Sequence, residues 1–256
     1  MSSPSAYHFV PAEARSYQST SQYILPNDDA EGARLDLQHW RIVKGLGGLI
    51  VAPVSLKEGD RVLESGAATG IWMLDFATHA PKNVQVEGID ISSRLFPASY
   101  PSNLTFSVNS ITSLPESWSS SFAYVHQRLL ISGLSEEMWK TAVSEIYRIL
   151  KPGGWVELVE CAMTFVVGPH TKKLMAIIEK LAALRGLLRD PKTDIPALLH
   201  TKKFVSVHCD TFPLPVNRES GEDGIIGNNN TVNVYAGMKV PILKAGGFGK
   251  VRDGAK

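Results

Sequence analysis

A run of small residues that follows a carboxylate is the first segment of this chain that could do chemistry. Glu64 precedes Gly66, Ala67, Ala68 and Gly70. Glycine permits a positive φ and, like alanine, lets the backbone come close to a ligand. An ordinary tight turn between a strand and a helix uses the same residue types, so this run alone leaves both interpretations open.

A single carboxylate, Asp90, stands at the end of the next apolar stretch, in the segment VEGIDIS. An acidic side chain at the end of a strand can accept hydrogen bonds from both hydroxyls of a ribose. Together with the run of small residues, Asp90 points to a cofactor that contains adenosine.

Two such cofactors, a nicotinamide dinucleotide and S-adenosylmethionine, are distinguished by the turn. The dinucleotide fingerprint requires glycine, glycine and then glycine or alanine where this chain has Gly66, Ala68 and Ile71. Glu64 would repel a pyrophosphate but could accept hydrogen bonds from the ammonium group of a methionine. The residues therefore favour S-adenosylmethionine, with a nicotinamide-dependent oxidoreductase as the alternative.

Polar side chains that could move a proton or bind an anion follow the later strands. His126 stands at the end of the fourth predicted strand, Arg128 lies just beyond it, and Glu160 stands near the end of the fifth. Because histidine titrates near neutral pH, His126 at the rim of the site would suit a general base, and Glu160 is the second candidate. A positioning or structural role is the alternative for both. Arg128 could clamp an acidic substrate or pair with a surface carboxylate.

Strands that alternate with helices must position these side chains. Apolar stretches predict strands over residues 61–64, 83–91, 104–108, 122–126, 155–162 and 204–207. Apolar residues at helical spacing predict helices over residues 70–80, 136–150 and 170–188. This order predicts an α/β fold with a mostly parallel sheet, helices on both faces, and ligands at the carboxyl ends of the strands.

A further helix is predicted before the sheet. Residues 27–29 offer side-chain oxygens for its N-cap, and Ala33, Leu37 and Trp40 recur on one of its faces. We expect Trp40 to lie in the core, His39 beside it to line a substrate pocket, and the helix to act as a lid that excludes water.

Three segments resemble the successive motifs of class I S-adenosylmethionine-dependent methyltransferases. They are residues 64–72 (ESGAATGIW), 88–92 (GIDIS) and 150–158 (LKPGGWVEL). Residues 23–39 and 124–128 (YVHQR) resemble one subgroup, the LaeA-like methyltransferases of fungal secondary metabolism. The resemblance is good from Tyr23 to Ala162 and looser beyond.

The resemblance implies a role for each matching residue. The methionine end of the cofactor would be held by Glu64, Gly66, Ala68 and Gly70, its ribose by Asp90, and its adenine by Ile91. Where the family often shows an acidic pair, this chain has Asn109 and Ser110, so the Asn109 oxygen would accept from the adenine amino group. Tyr23, His39 and Arg128 would face the substrate.

The reaction that the resemblance implies is methyl transfer from S-adenosylmethionine to a small molecule of fungal natural-product metabolism. Such a transfer is an in-line displacement in which placing the nucleophile supplies much of the acceleration, so a catalytic base is optional. The alternatives are a non-catalytic or regulatory protein of the same fold and the oxidoreductase.

The end of the chain departs from the family pattern, which closes the sheet with an antiparallel seventh strand. Residues 231–235 are the one strand-like stretch left after residue 207, but Val234, Met238 and Ile242 repeat at helical spacing. We therefore expect residues 231–244 to be largely helical and the sheet to lack its last strand. The exposed edge would invite pairing with a second copy of the chain as a homodimer.

Composition limits the function classes and the cell compartment. The 256 residues carry 26 Lys and Arg against 25 Asp and Glu, which argues against a nucleic-acid partner. Two cysteines, Cys161 and Cys209, exclude a disulfide framework, and no Cys/His cluster has the spacing of a metal site.

The Ser-rich residues 1–22 predict a poorly ordered tail with no secretory signal, and no apolar run is long enough to span a membrane. We expect a single domain over residues 23–256, in the cytoplasm, with the nucleus as the alternative.

Overall fold

Five parallel strands form the centre of the structure, a computed structural model that describes residues 11, 14–18, 23–161 and 168–246. The strands are β1 (Arg61–Ser65), β2 (Gln85–Asp90), β3 (Leu104–Val108), β4 (Phe122–Arg128) and β5 (Leu150–Val159). They lie in the order β3-β2-β1-β4-β5, so the strand order reverses between β1 and β4. This reversal opens the crevice in which ligands bind in sheets of this kind.

Helices of the described residues cover the sheet and its carboxyl edge. They are α1 (Asp29–Leu46), α2 (Ile71–His79), α3 (Glu136–Ile149), α4 (Pro169–Leu184), α5 (Pro191–Thr201), α6 (Gly221–Gly237) and α7 (Lys239–Ala245). Short 3-10 helices occupy Glu116–Trp118 and Arg218–Ser220. The α/β prediction is confirmed.

The core lies in two layers, one on each face of the sheet. On one face, Trp72, Met73 and Phe76 of α2 pack against apolar side chains of β1, β2 and β4. On the other face, α3 buries the apolar stripe that its helical spacing predicts, which includes Trp139 and Ile146. Apolar side chains therefore cover each face of the sheet, and its carboxyl edge is the part that remains open to polar side chains and ligands.

Residues 204–207 are not a strand, contrary to the prediction. Val205 is 84% exposed, Ser206 forms a bend with a φ of +53°, and these residues do not join the sheet. An apolar run of four residues has too little of its own signal to tell a strand from an exposed connection. The predicted helix over residues 170–188 ends early at Leu184, because Gly186 adopts a φ of +61°.

The prediction for the C-terminal part is confirmed. Residues 231–244 fall within α6 and α7, and the sheet formed by the described residues has five strands and no antiparallel last strand. β5 is consequently an edge strand. The predicted homodimer through this edge stays a prediction.

The N-terminal helix buries a different face from the one that apolar spacing indicated. Trp40 is 53% exposed, whereas His39 is completely buried, as are Arg34 and Glu31. Arg34 donates to Glu31 from Nε and Nη2, so these polar side chains satisfy one another inside. The expectation that Trp40 lies in the core is wrong. The buried face of α1 carries ion-paired side chains, and a pattern of apolar residues cannot indicate such a face.

Most of the predicted tail over residues 1–22 lies outside the described residues. Among those described, Arg15 pairs with Asp28, the N-cap of α1, at 2.8 Å, and Tyr17 donates to the carbonyl oxygen of Gly237 at 2.8 Å. This short stretch therefore lies against the start of α1 and the end of α6.

Candidate active site

The turn after β1 is held in a left-handed conformation over several residues. The φ angles are +77° at Gly66, +46° at Ala68 and +71° at Gly70. The backbone N–H groups of Gly66 and Ala67 both donate to the carbonyl oxygen of Ile89, at 2.9 Å each. The turn is thereby fixed to the end of β2, with Ala68 in a conformation that glycine adopts at lower cost.

Asp90 ends β2 and is fixed by two backbone donors. Its Oδ2 accepts from the N–H of Ala68 and its Oδ1 from the N–H of Ser92, both at 3.1 Å. Burial raises the pKa of its carboxyl, and the backbone hydrogen bonds oppose that effect. The carboxylate is therefore oriented by the cofactor turn itself, while Ile91 beside it is exposed.

A cavity of about 1130 Å³ opens at the carboxyl ends of the strands. Its polar end is lined by the turn at residues 64–69, by Asp90, and by Asn109 and Ser110 after β3. Its other end is lined by apolar side chains, among them Ile24, Leu25, Ile178, Leu181, Val234 and Met238. Its volume slightly exceeds the roughly 300–1,000 Å³ that is typical of a pocket for one small ligand.

Asn109 and Ser110 lie where the sequence placed them. The side-chain nitrogen of Asn109 donates to Ser107 at 2.9 Å, so its oxygen is the atom that it can offer to an amino group. The Ser110 hydroxyl is shared with Thr112 at 2.8 Å.

His126 lies inside β4 and not at the rim, so its predicted position is wrong. It is 1% exposed, stacks on the indole of Trp72 at 4.1 Å between ring centroids, and places Nδ1 2.5 Å from Oε2 of Glu64. Glu64 lines the cavity, whereas His126 lies beneath it. The fourth strand is two residues longer than predicted, which moves the rim from His126 to Arg128.

Glu160 follows β5 as predicted and holds a loop. Its two carboxyl oxygens accept from the N–H groups of Leu130 and Ile131, at 2.9 and 3.1 Å. Burial raises its pKa to about 8. Leu130 and Ile131 line the cavity, so Glu160 shapes the wall from behind.

The helix α1 covers the turn and the cavity. Asp36 accepts from the hydroxyl of Thr69 at 2.5 Å, and Arg34 donates to Asn230 of α6 at 3.1 Å. Tyr23, just before the helix, also lines the cavity and packs beside Gly133. No signal in the sequence indicates the contact between Asp36 and Thr69, since only the fold brings α1 over the turn.

His39 lines the same cavity from α1, but it is covered by its neighbours. Its Nε2 lies 3.1 Å from Oδ2 of Asp75 on α2. Burial, helped by the charge of Arg128, lowers the pKa of His39 to about 4, so its ring is neutral near pH 7.

Arg128 is the last residue of β4 and lines the cavity. Burial lowers the pKa of its guanidinium, while the charges of Glu64, Asp36 and Asp75 act against that effect.

Comparison with known proteins settles the family. Residues 62–154 match a family model described as a methyltransferase domain. The chain is 30% identical over 201 residues to the N-methyltransferase verN of Clonostachys rogersoniana, covering 77% of this chain and 70% of verN. The chain belongs to the class I S-adenosylmethionine-dependent methyltransferases. The LaeA-like subgroup stays a prediction.

Two further similarities agree with this. The N-methyltransferase sirN of Leptosphaeria maculans is 39% identical over 142 residues, which are 55% of this chain and half the length of sirN. The structure of Haemonchus contortus phosphoethanolamine N-methyltransferase 2 with S-adenosyl-L-methionine superposes with a TM-score of 0.52 at 19% identity, covering 81% of this chain and 49% of that chain. That last likeness shows the fold.

The methyltransferase uses S-adenosylmethionine as its cofactor, and the described residues fit this molecule. A left-handed turn with its backbone open to the cavity, a carboxylate at the end of β2 and a second carboxylate at the end of β1 line one continuous space. The reaction is methyl transfer to a small-molecule acceptor, and the oxidoreductase and non-catalytic alternatives are not favoured.

Within residues 23–161 and 168–246 and the short described stretches before them, no group of three His, Cys, Asp or Glu side chains could hold a metal ion. No helix there is long and apolar enough to cross a membrane.

Proposed function

We propose that this enzyme methylates a nitrogen atom of a largely apolar small molecule made in secondary metabolism. The observation that carries the proposal is the apolar lining at one end of the cavity, next to the polar end that suits the cofactor. The choice of nitrogen is supported by the N-methyltransferases verN and sirN, to which the chain is similar.

The apolar end has a core of its own. Ile24, Leu25, Ile178, Leu181 and Met238 form a cluster separate from the two layers of the sheet. Its residues come from the segment before α1, from α4, and from the junction of α6 and α7, so it exists only when early and late parts of the chain meet. An apolar acceptor that docks there loses water from its surface, which favours binding.

Proposed roles follow from where each side chain lies. Bound S-adenosylmethionine would supply the methyl group, with Asp90 holding its ribose, Ile91 and Asn109 its adenine, and the turn around Gly66 its methionine end. Tyr23 and His39 would border the acceptor.

The two residues first considered as bases would act indirectly. His126 is buried beneath Glu64 and hydrogen-bonded to it, so we assign it the task of orienting that carboxylate. Glu160 holds the N–H groups of the loop after β4, so it would position the wall of the cavity. Placement of the two reactants then supplies most of the acceleration.

The helix α1 would act as the lid of this site. Its hydrogen bond from Thr69 to Asp36 and its link from Arg34 to Asn230 span the turn on one side and α6 on the other. A closed cover excludes water from the methyl group and from the reacting nitrogen.

The experiment uses the full chain with S-adenosylmethionine carrying a deuterated methyl group. Matched pairs of apolar heterocycles that present an N–H or an O–H at the same ring position would serve as acceptors, with mass spectrometry locating the label. Label on nitrogen supports the proposal. Label confined to oxygen or carbon would refute the choice of nitrogen, and label found only on added protein or RNA would refute a small-molecule acceptor.

A cytoplasmic location for this activity is part of the same proposal. It is supported by the presence of only two cysteines, which suits a reducing compartment. Fluorescence from a tagged full chain in a fungal cell would test it, and a signal restricted to the nucleus would contradict it.

A further inference from the structure

Arg128 occupies the point of the sheet where the strand order reverses. In the pairing of β1 with β4, Ser65 lies opposite Gln127, so Arg128 comes level with Gly66, the first residue of the cofactor turn. On its other side it pairs with Val159 of β5. The side chain thus enters the cavity beside the turn, between the ends of two neighbouring strands.

Three carboxylates surround this guanidinium, yet none of them forms an ion pair with it. Glu64 on β1, Asp36 on α1 and Asp75 on α2 all favour its charge. Among the described residues, no carboxylate oxygen lies within 4.0 Å of its nitrogen atoms. Arg128 is therefore held by charge at a distance, without direct contact.

Each of the three carboxylates already has another partner. Glu64 is bonded to His126 at 2.5 Å, Asp36 receives the hydroxyl of Thr69 at 2.5 Å, and Asp75 lies 3.1 Å from His39. These bonds keep the carboxylates from swinging onto Arg128. The arrangement leaves the guanidinium of Arg128 at the lining of the cavity without a bonded carboxylate in the part of the chain that the structure describes.

Such an arrangement costs stability in the empty protein, because a buried charge prefers a hydrogen-bonded counter-ion. The lowered pKa of Arg128 has the same cause. An anion that enters the cavity would meet a donor group to which no carboxylate of the described residues is bonded. The planar guanidinium matches the two oxygens of a carboxylate with two parallel hydrogen bonds.

We propose that Arg128 binds the carboxylate at the methionine end of S-adenosylmethionine. Arg128 and Glu64 stand on adjacent strands at the same edge, one cationic and one anionic. The methionine end of the cofactor carries an ammonium and a carboxylate on one carbon, so the two charges of the protein complement the two charges of the ligand. This inference rests on the cofactor and not on the acceptor proposed above, so the two can fail separately.

Calorimetric titration of the full chain with two ligands tests the proposal. One ligand is S-adenosylmethionine, and the other is decarboxylated S-adenosylmethionine, which keeps the sulfonium and the ammonium. We expect Arg128→Met to weaken binding of S-adenosylmethionine roughly 10- to 100-fold, the range for a charge-assisted hydrogen-bonded pair, and to change binding of the decarboxylated ligand less than threefold. Arg128→Lys keeps the charge without the fork and should fall between.

Arg94→Met is the matched control, because Arg94 is exposed, lies close in the chain to Asp90, and does not line the cavity. It removes the same charge and should leave both affinities unchanged. The melting temperature of the ligand-free Arg128→Met variant measures any change in the stability of the fold separately from the two affinities.

Several results would overturn the proposal. Equal weakening of both ligands would mean that Arg128 only supports the fold. Unchanged affinity for S-adenosylmethionine would show that its carboxylate binds elsewhere, and an effect confined to the KM of an acceptor would assign Arg128 to that molecule. If Arg128→Met fails to fold, the comparison of the two ligands in Arg128→Lys decides.

Discussion

Replacing Ala68 with glycine should stabilise this protein, although it removes a methyl group from the site. Ala68 adopts a φ of +46°, a left-handed conformation that costs an L-residue with a Cβ roughly 1–2 kcal/mol. Glycine avoids that cost but adds freedom to the unfolded chain, worth about 0.4–1 kcal/mol. The net expectation is a free energy of unfolding higher by about 0.5–1 kcal/mol.

The neighbouring residue provides the matched control. Ala67 is buried against the core beneath the turn, and its φ is not positive. Ala67→Gly should lose the burial of one methyl group, about 0.8 kcal/mol, in addition to the entropic cost of glycine. The two substitutions are chemically identical and one residue apart, yet we expect them to change stability in opposite directions.

Urea unfolding of both variants without ligand measures the difference directly. In thermal unfolding of a chain of this size, a difference of 1 kcal/mol in the free energy of unfolding would shift the melting temperature by about 2–4 °C. The hydrogen bond from the Ala68 N–H to Asp90 is a backbone contact, so Ala68→Gly should retain S-adenosylmethionine binding. A loss of stability in Ala68→Gly equal to that in Ala67→Gly would refute the reasoning from strain.

Three further predictions concern the cofactor, the lid and pH. Asp90→Ala should weaken S-adenosylmethionine binding about 10- to 150-fold in a calorimetric titration, because about 1.5–3 kcal/mol of charge-assisted bonding is lost; wild-type affinity in a folded variant would refute the assignment. Asp36→Ala should raise the KM for S-adenosylmethionine about 5- to 10-fold by releasing α1 from Thr69, whereas Asp29→Ala, at an exposed position of the same helix, should not; equal effects would exclude the lid contact. Because the pKa of Glu160 is raised to about 8, the folded chain binds more protons than the unfolded chain between the ordinary glutamate pKa and pH 8. The free energy of unfolding should therefore fall as pH rises through that interval, by at most about 1.4 kcal/mol per pH unit. Urea unfolding at pH 6, 7 and 8 should show a flatter dependence on pH in Glu160→Gln than in the wild type, and parallel dependences would contradict the assignment.

The elements that the sequence predicts well are those whose signals are local. β3 has the predicted bounds, and the stripe of α3 is buried as its spacing indicates. The turn after β1 needs small residues, and Asp90 ends a buried strand. Both features can therefore be predicted from the sequence without knowing which other segments contact them. Backbone preferences and apolar spacing depend on residues close together in the chain. The elements that they predict are therefore the same in the folded structure.

The tertiary structure alone decides which polar side chains meet. His126 looks like a base from its place in the chain, but a strand two residues longer buries it against Glu64. The apolar spacing places Trp40 in the core, but the face of α1 that is buried carries Arg34 and its ion pair with Glu31, and Trp40 is left exposed. Among the described residues, no carboxylate is bonded to Arg128, because His126, Thr69 and His39 already bond the three carboxylates around it. Hydrogen bonds and charges act between segments far apart in the chain, so their pairing exists only once the fold has brought those segments together.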